Sequence, residues 1–168
     1  KMITDKEQFV LNVTNNKVNG YYVELGGFHS KIDSKTYNLE TQYNWQGVAL
    51  EINEERQKEY SINRKNPCIL NDALKFDYLK YFKENNVSNQ IDFLSVNIDD
   101  AYNSLGISNS NPALSLLGLI ALPLNLYRFT VITFEHDSLQ NYKNKLIRNA
   151  QREILNALGY SLVVQQWC

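Results

Sequence analysis

The sequence is poor in the features that mark specialised protein classes. It has two cysteines, Cys68 and Cys168, far apart and outside any Cys-x-x-Cys pair. No disulfide framework is encoded, and a reducing, cytoplasmic setting is expected. No sign of charge prevails: 17 basic residues face 18 acidic ones, for a net charge of -1. A broad basic field that would draw in nucleic acid or an anionic membrane is therefore missing. The longest apolar stretch, "ALSLLGLIALPLNLY" (Ala113 to Tyr127), is short for a membrane span and carries Pro123 and Asn125. It reads as a buried helix followed by a turn. "KMITDKEQF" at the N-terminus has no apolar core, so it is not expected to be a signal peptide. No internal repeat and no low-complexity linker divides the chain. The opening on Lys1 fits a tag or a fragment of a longer protein as well as an intact one.

What is present is ordinary globular composition, 43% hydrophobic and 21% charged. The 168 residues suit a single domain, 1–168, with enough chain to bury a core.

Strands and helices alternate along it. "GYYVEL" (Gly20 to Leu25) is an apolar run ending in glycines and reads as a strand. "SKTYNLETQYN" (Ser34 to Asn44) reads as a helix with Ser34 as N-cap. "GVALEI" (Gly47 to Ile52) is a second strand, and Asn53-Glu54-Glu55 starts a helix whose positive end suits acidic residues. The charged run "EERQKEY" within it reads as a solvated face. "PCIL" (Pro67 to Leu70), "IDFLSVNI" (Ile91 to Ile98) and "YRFTVITF" (Tyr127 to Phe134) are further strands, and "YSLVVQ" a last one. Helices are expected around Phe76, Leu79 and Phe82, over roughly Asp100 to Leu122 with a break at Ile107 to Pro112, and around Ile147, Ala150, Ile154 and Leu158.

Apolar strands alternating with amphipathic helices imply an α/β, Rossmann-like doubly wound fold. The expected sheet is mostly parallel, with about six or seven strands and helices on both faces. In such sheets a ligand sits beyond the carboxyl ends of the strands, where strand order reverses. Those ends are polar here: Glu24 and Gly26-Gly27, Glu51, Asn71-Asp72, Asn97 with Asp99-Asp100, and Glu135-His136-Asp137. Any strand leaving a core must reach polar sequence, but five acidic ends would converge on one rim.

Glu51 stands 24 residues beyond Gly27, where a doubly wound fold presents a carboxylate to the two hydroxyls of a ribose. It reads otherwise as a solvated residue at a helix start. "ELGGFHS" meets neither G-x-G-x-x-G nor G-x-x-x-x-G-K-[ST], and Glu24 would repel a phosphate. The missing third glycine disfavours a nicotinamide-dependent oxidoreductase. A carboxylate at this place suits a cation or an amino group. S-adenosylmethionine carries a sulfonium, an ammonium and a ribose.

The stretch "YYVELGGFHSKIDSKTYNLETQYNWQGVALEIN" resembles the first two motifs of FkbM-type S-adenosylmethionine-dependent methyltransferases: an acidic-x-Gly motif, a "SNT..LE" helix start and "W.G...E.N". "IDFLSVNIDDA" resembles that family's fourth motif, "YRFTVITFEHD" its fifth-strand motif, and "REILNALGYSLV" its closing helix and strand. The resemblance runs from about Phe9 to Val164. It implies a class I methyltransferase-like fold with Glu24, Gly26 and Gly27 bordering the methionine part of the cofactor. It implies Glu51 on the ribose, Asp72 near the adenine amino group, and Ile52 flanking the adenine ring. Asn97, also at the cofactor, replaces the family's usual Asp, and Asp99-Asp100 replace Glu-Gly. The resemblance alone implies an acceptor that is a sugar or glycan hydroxyl.

Transfer of a methyl group from a sulfonium is an in-line displacement that needs alignment and, for a hydroxyl, removal of a proton. His136 at the end of the fifth strand is a candidate base near neutral pH. Asp99 and Glu135, with Asp137 and Asn97, are candidate ligands of Mg²⁺, which would lower the pKa of the acceptor hydroxyl. The alternative reading is that Glu135 and His136 cap or brace the following helix, a lone histidine being more often structural. The changed fourth motif keeps a non-enzymatic alternative open: a degenerate methyltransferase fold acting as a nucleoside-binding or partner module.

Overall fold

The computed structural model describes residues 2–27, 29–98, 111–136 and 142–164. Five strands form one parallel sheet: β1 (Tyr21–Leu25), β2 (Gln46–Glu51), β3 (Cys68–Leu70), β4 (Gln90–Val96) and β5 (Arg128–Phe134), in the order β3-β2-β1-β4-β5. The order reverses between β1 and β4, which makes this a doubly wound α/β sheet with its switch point there. The strand count is five among the described residues, below the six or seven expected. "YSLVVQ" accounts for part of the difference. Its residues 160–164 belong to no strand of the sheet, and Leu162 and Val163 stand exposed.

The described residues form six helices, α1 (Asp5–Val13), α2 (Tyr37–Tyr43), α3 (Glu54–Asn63), α4 (Tyr78–Glu84), α5 (Pro112–Ala121) and α6 (Tyr142–Ala157). They cover both faces because strand side chains alternate. Val23, Leu25, Leu94 and Val96 pack against Tyr78 and Phe82 of α4, Leu119 of α5 and Leu155 of α6. Tyr22, Phe93 and Val131 pack on the other face against Val10 and Leu11 of α1 and Leu39 of α2, with Trp45 beside them. No helix among the described residues is long and apolar enough to cross a membrane.

α1 has no counterpart in the sequence reading, although its signal is local. Thr4 and Glu7 form a capping box, each accepting from the other's backbone amide. Glu7 is fully buried and also accepts from the backbone of Asn38 (2.7 Å) and Leu39 (3.3 Å), so one carboxylate caps two helices. α2 begins later than its polar run suggested. Ser34 sits outside the helix, and its hydroxyl accepts from the amides of Thr36 and Tyr37.

Candidate functional site at the strand ends

The rim is built by backbone bonds that carry the sheet one residue past its strands. Gly26 N–H donates to Leu50 O, Asn97 N–H to Leu25 O and Glu135 N–H to Val96 O, each at 3.0 Å, and Asn71 N–H donates to Glu51 O at 3.1 Å. Gly26 is obligatory at the switch point. Its φ is +84°, and a Cβ there would lie 1.8 Å from Asn97 O. Gly27 is different, since a Cβ would make ordinary contacts with Tyr60 and Ala49.

On the β2 side, Glu51 is buried and its Oε1 accepts from Asn53 N–H at 2.9 Å, which holds the carboxylate over the start of α3. Ile52 and Leu70, at the ends of β2 and β3, are 43% and 47% exposed. Apolar surface at two adjacent strand ends suits the face of a planar ring. Asp72 follows β3, where its Oδ1 accepts from Leu74 N–H at 2.9 Å.

Glu24 lies beneath the rim. It is 4% exposed, and its Oε2 accepts from Thr36 Oγ1 at 3.0 Å and Tyr60 OH at 3.5 Å. Burial raises its carboxyl above the usual carboxylate range, against the pull of Arg64, Lys35 and Thr36. Around it the sequence hid a polar hub. Arg64 spends all five donors: Nε on Glu40, Nη1 on Ser30 O and Ser34 Oγ, and Nη2 on Tyr22 OH and Thr36 Oγ1. Its guanidinium stacks 4.4 Å from the centre of the Tyr60 ring. Burial alone would lower the pKa of Arg64, but Tyr22, Tyr60, Glu24 and Glu40 together raise it. The run "EERQKEY" is therefore not wholly a solvated face, because Tyr60 at its end is fully buried in this hub.

On the β5 side, Glu135 is paired with Lys6 of α1 and lies 3.5 Å from Lys35 Nζ. Burial would raise its carboxyl, but Lys35 and Lys6 outweigh burial and lower it. Lys35 is pushed down by burial, with Glu135 pulling it back up. Two ammonium groups on one carboxylate are a poor setting for a divalent cation. Among the described residues no group of His, Cys, Asp and Glu is arranged to hold a metal. Asp99, the other expected metal ligand and catalytic candidate, lies outside the described residues, as do Asp100 and Asp137. His136 follows Glu135 at the rim and is half-buried, while His29 is exposed on the loop after β1.

The structure thus brings Glu51, Gly26, Asn97 and Glu135 into one row and sets Glu24 a row below. Arg64, Lys6 and Lys35 were absent from the sequence reading, because nothing in a single chain shows that residues so far apart share one face.

No protein-family model matches the chain. No curated protein matches it either. A solved structure described as a "delta-N METTL16 MTase domain" is similar over 96% of this chain and 74% of its own, at 15% sequence identity and a TM-score of 0.47. Likeness at that level carries no inference about activity, so function rests on the site's own residues.

Proposed function

We propose that the chain is an S-adenosylmethionine-dependent methyltransferase domain acting on a hydroxyl, of a sugar or glycan by its FkbM-like motifs. The observation that carries this reading is the placement of a buried carboxylate, Glu51, at the end of β2 beside the β1–β4 switch point. The residues present fit the cofactor. Half-exposed Ile52 and Leu70 offer apolar surface next to Glu51, and the buried Asn97 Oδ1 across the switch point has no hydrogen-bond partner among the described residues.

Glu51 would accept from the ribose hydroxyls, with its orientation held by Asn53 N–H. Ile52 would flank the adenine and Asp72 would lie near its amino group. Gly26 and Gly27 would let the backbone close on the methionine part, with Glu24 buried a row beneath them. When bound, the cofactor supplies a methyl group made electrophilic by its sulfonium. Glu135 is engaged by two lysines, and His136, which follows it at the rim, is the base we assign to the acceptor's proton.

The test is calorimetric titration with S-adenosylmethionine, S-adenosylhomocysteine and NAD. Binding of the two adenosyl ligands is expected, and Glu51→Ala should weaken it by about 1–3 kcal/mol through lost charge-assisted hydrogen bonds. Unaltered affinity in that variant would mean the ribose is read elsewhere.

A second reading, a degenerate fold that binds nucleoside without turnover, is favoured by one observation, the Lys6–Glu135–Lys35 clamp at the reaction end. Tight binding of S-adenosylhomocysteine with no methyl transfer to any glycan offered would support it.

A further inference from the structure

Two buried side-chain oxygens among the described residues make no hydrogen bond, Ser95 Oγ and Asn97 Oδ1. Ser95 lies on β4 and Asn97 one residue past its end, where the backbone still pairs with Leu25, so the two fall on one face of the sheet. Ser95 is 1% exposed and in register with Glu24 of β1 and Thr133 of β5. Asn97 lies one step further out, partly exposed, where its backbone meets Gly26. The pair therefore leads from the core to the rim at the point where strand order reverses.

The donors already placed around this rim are engaged elsewhere. Thr36 and Tyr60 hydroxyls point to Glu24, and Lys6 and Lys35 converge on Glu135. Leaving a buried oxygen unpaired is unfavourable, and an apolar side chain would avoid the cost in a strand otherwise as apolar as "FLSV". Two such atoms on one face, at the place where this fold takes ligands, are explained together by a donor that arrives with the ligand.

We propose that Ser95 Oγ and Asn97 Oδ1 accept hydrogen bonds from a donor group of the bound ligand, an amine or hydroxyl entering at the end of β4. The inference rests on the cofactor reading above. The group has two sources, the amine of the cofactor's amino-acid tail or a hydroxyl of the acceptor.

Ser95→Ala and Asn97→Ala separate this from a role in folding. In ligand-free protein Ser95→Ala should leave the melting temperature unchanged or raise it, because it removes an unsatisfied group. Calorimetry with S-adenosylhomocysteine and with adenosine then locates the donor. About tenfold weaker S-adenosylhomocysteine with unaltered adenosine identifies the amine. Unaltered binding of both with an acceptor KM raised about tenfold identifies the hydroxyl. A ligand-free melting temperature lowered by several degrees in Ser95→Ala overturns the inference, as do variants with wild-type affinity and wild-type KM. Wild-type protein that binds no adenosyl compound overturns the cofactor reading and this inference together. Wild-type binding with unaltered variants overturns this inference alone.

Discussion

Gly26 illustrates how little room one position can leave. Its positive φ places it where L side chains are strained, and its missing Cβ lets β1 meet the carbonyl of Asn97. Gly26→Ala should therefore destabilise the protein by about 3 kcal/mol, from overpacking plus left-handed strain. Urea denaturation measures this, and a loss within experimental error would mean the two strand ends separate freely. Glu135 gives a different residue-level expectation, because Lys35 and Lys6 hold its carboxyl below the ordinary value of 4.5. A depressed carboxyl contributes stability that is complete above its unfolded value and is lost as pH falls through its folded one. Wild type should thus lose melting temperature more steeply than Glu135→Gln below about pH 4.5, the two converging in acid. A gap between the two proteins that stays constant down to strong acid would refute the assignment.

At the scale of elements, the N-terminal segment is more than a lead-in. Glu7 closes the capping box of α1, and its buried carboxylate receives the first amides of α2. That couples two helices that lie on the same face as the β1 and β5 ends. Glu7→Ala removes the Glu7 half of the α1 capping box, leaving the Thr4 cap in place, and leaves amides of the other helix unpaired. The expected cost is about 2–4 kcal/mol. It is measurable by chemical denaturation, and amide exchange should quicken in both helices. Exchange confined to α1 would show that the coupling is not real. Through Lys6, α1 also reaches Glu135, so the position of this helix decides what that carboxylate can do.

For the whole molecule, the proposed cofactor is a linkage statement. A ligand bound only by the folded state, at about 100 times its dissociation constant, stabilises by about 2.7 kcal/mol. In a domain of this size that corresponds to a rise of about 5–10 °C in melting temperature. Thermal scans with S-adenosylhomocysteine should show this rise, and adenosine should give a smaller one. An unchanged transition at saturating concentrations would count against any adenosyl site. The near-zero net charge makes a related point. Association with anionic partners has no global field behind it and would depend on local groups.

Local pattern and short-range chemistry determined a good part of this protein. Continuous apolar runs such as "YYVEL" and "FLSV" specify buried strands, because a parallel sheet covered on both faces leaves no polar side. Helix starts at Asn53 and Asn111 follow from side chains that reach the next few amides. The strand ends carrying Glu51, Gly26, Asn97 and Glu135 were legible for the same reason, since they are where apolar sequence stops. "YSLVVQ" shows the limit. Its apolar pattern suits a strand, but a strand needs a neighbour to hydrogen-bond, and along residues 160–164 none is supplied.

Only tertiary structure decided which polar groups are spent on one another. Lys6, Lys35 and Glu135 come from α1, the loop before α2 and the end of β5, and Arg64 gathers partners from β1, α2 and the connection between them. Such pairings depend on register and helix placement across long sequence separations, which no local pattern records. The same packing turned Glu24 from an exposed lure for a cation into a buried carboxyl, and left Ser95 and Asn97 with acceptors that nothing in the described protein fills.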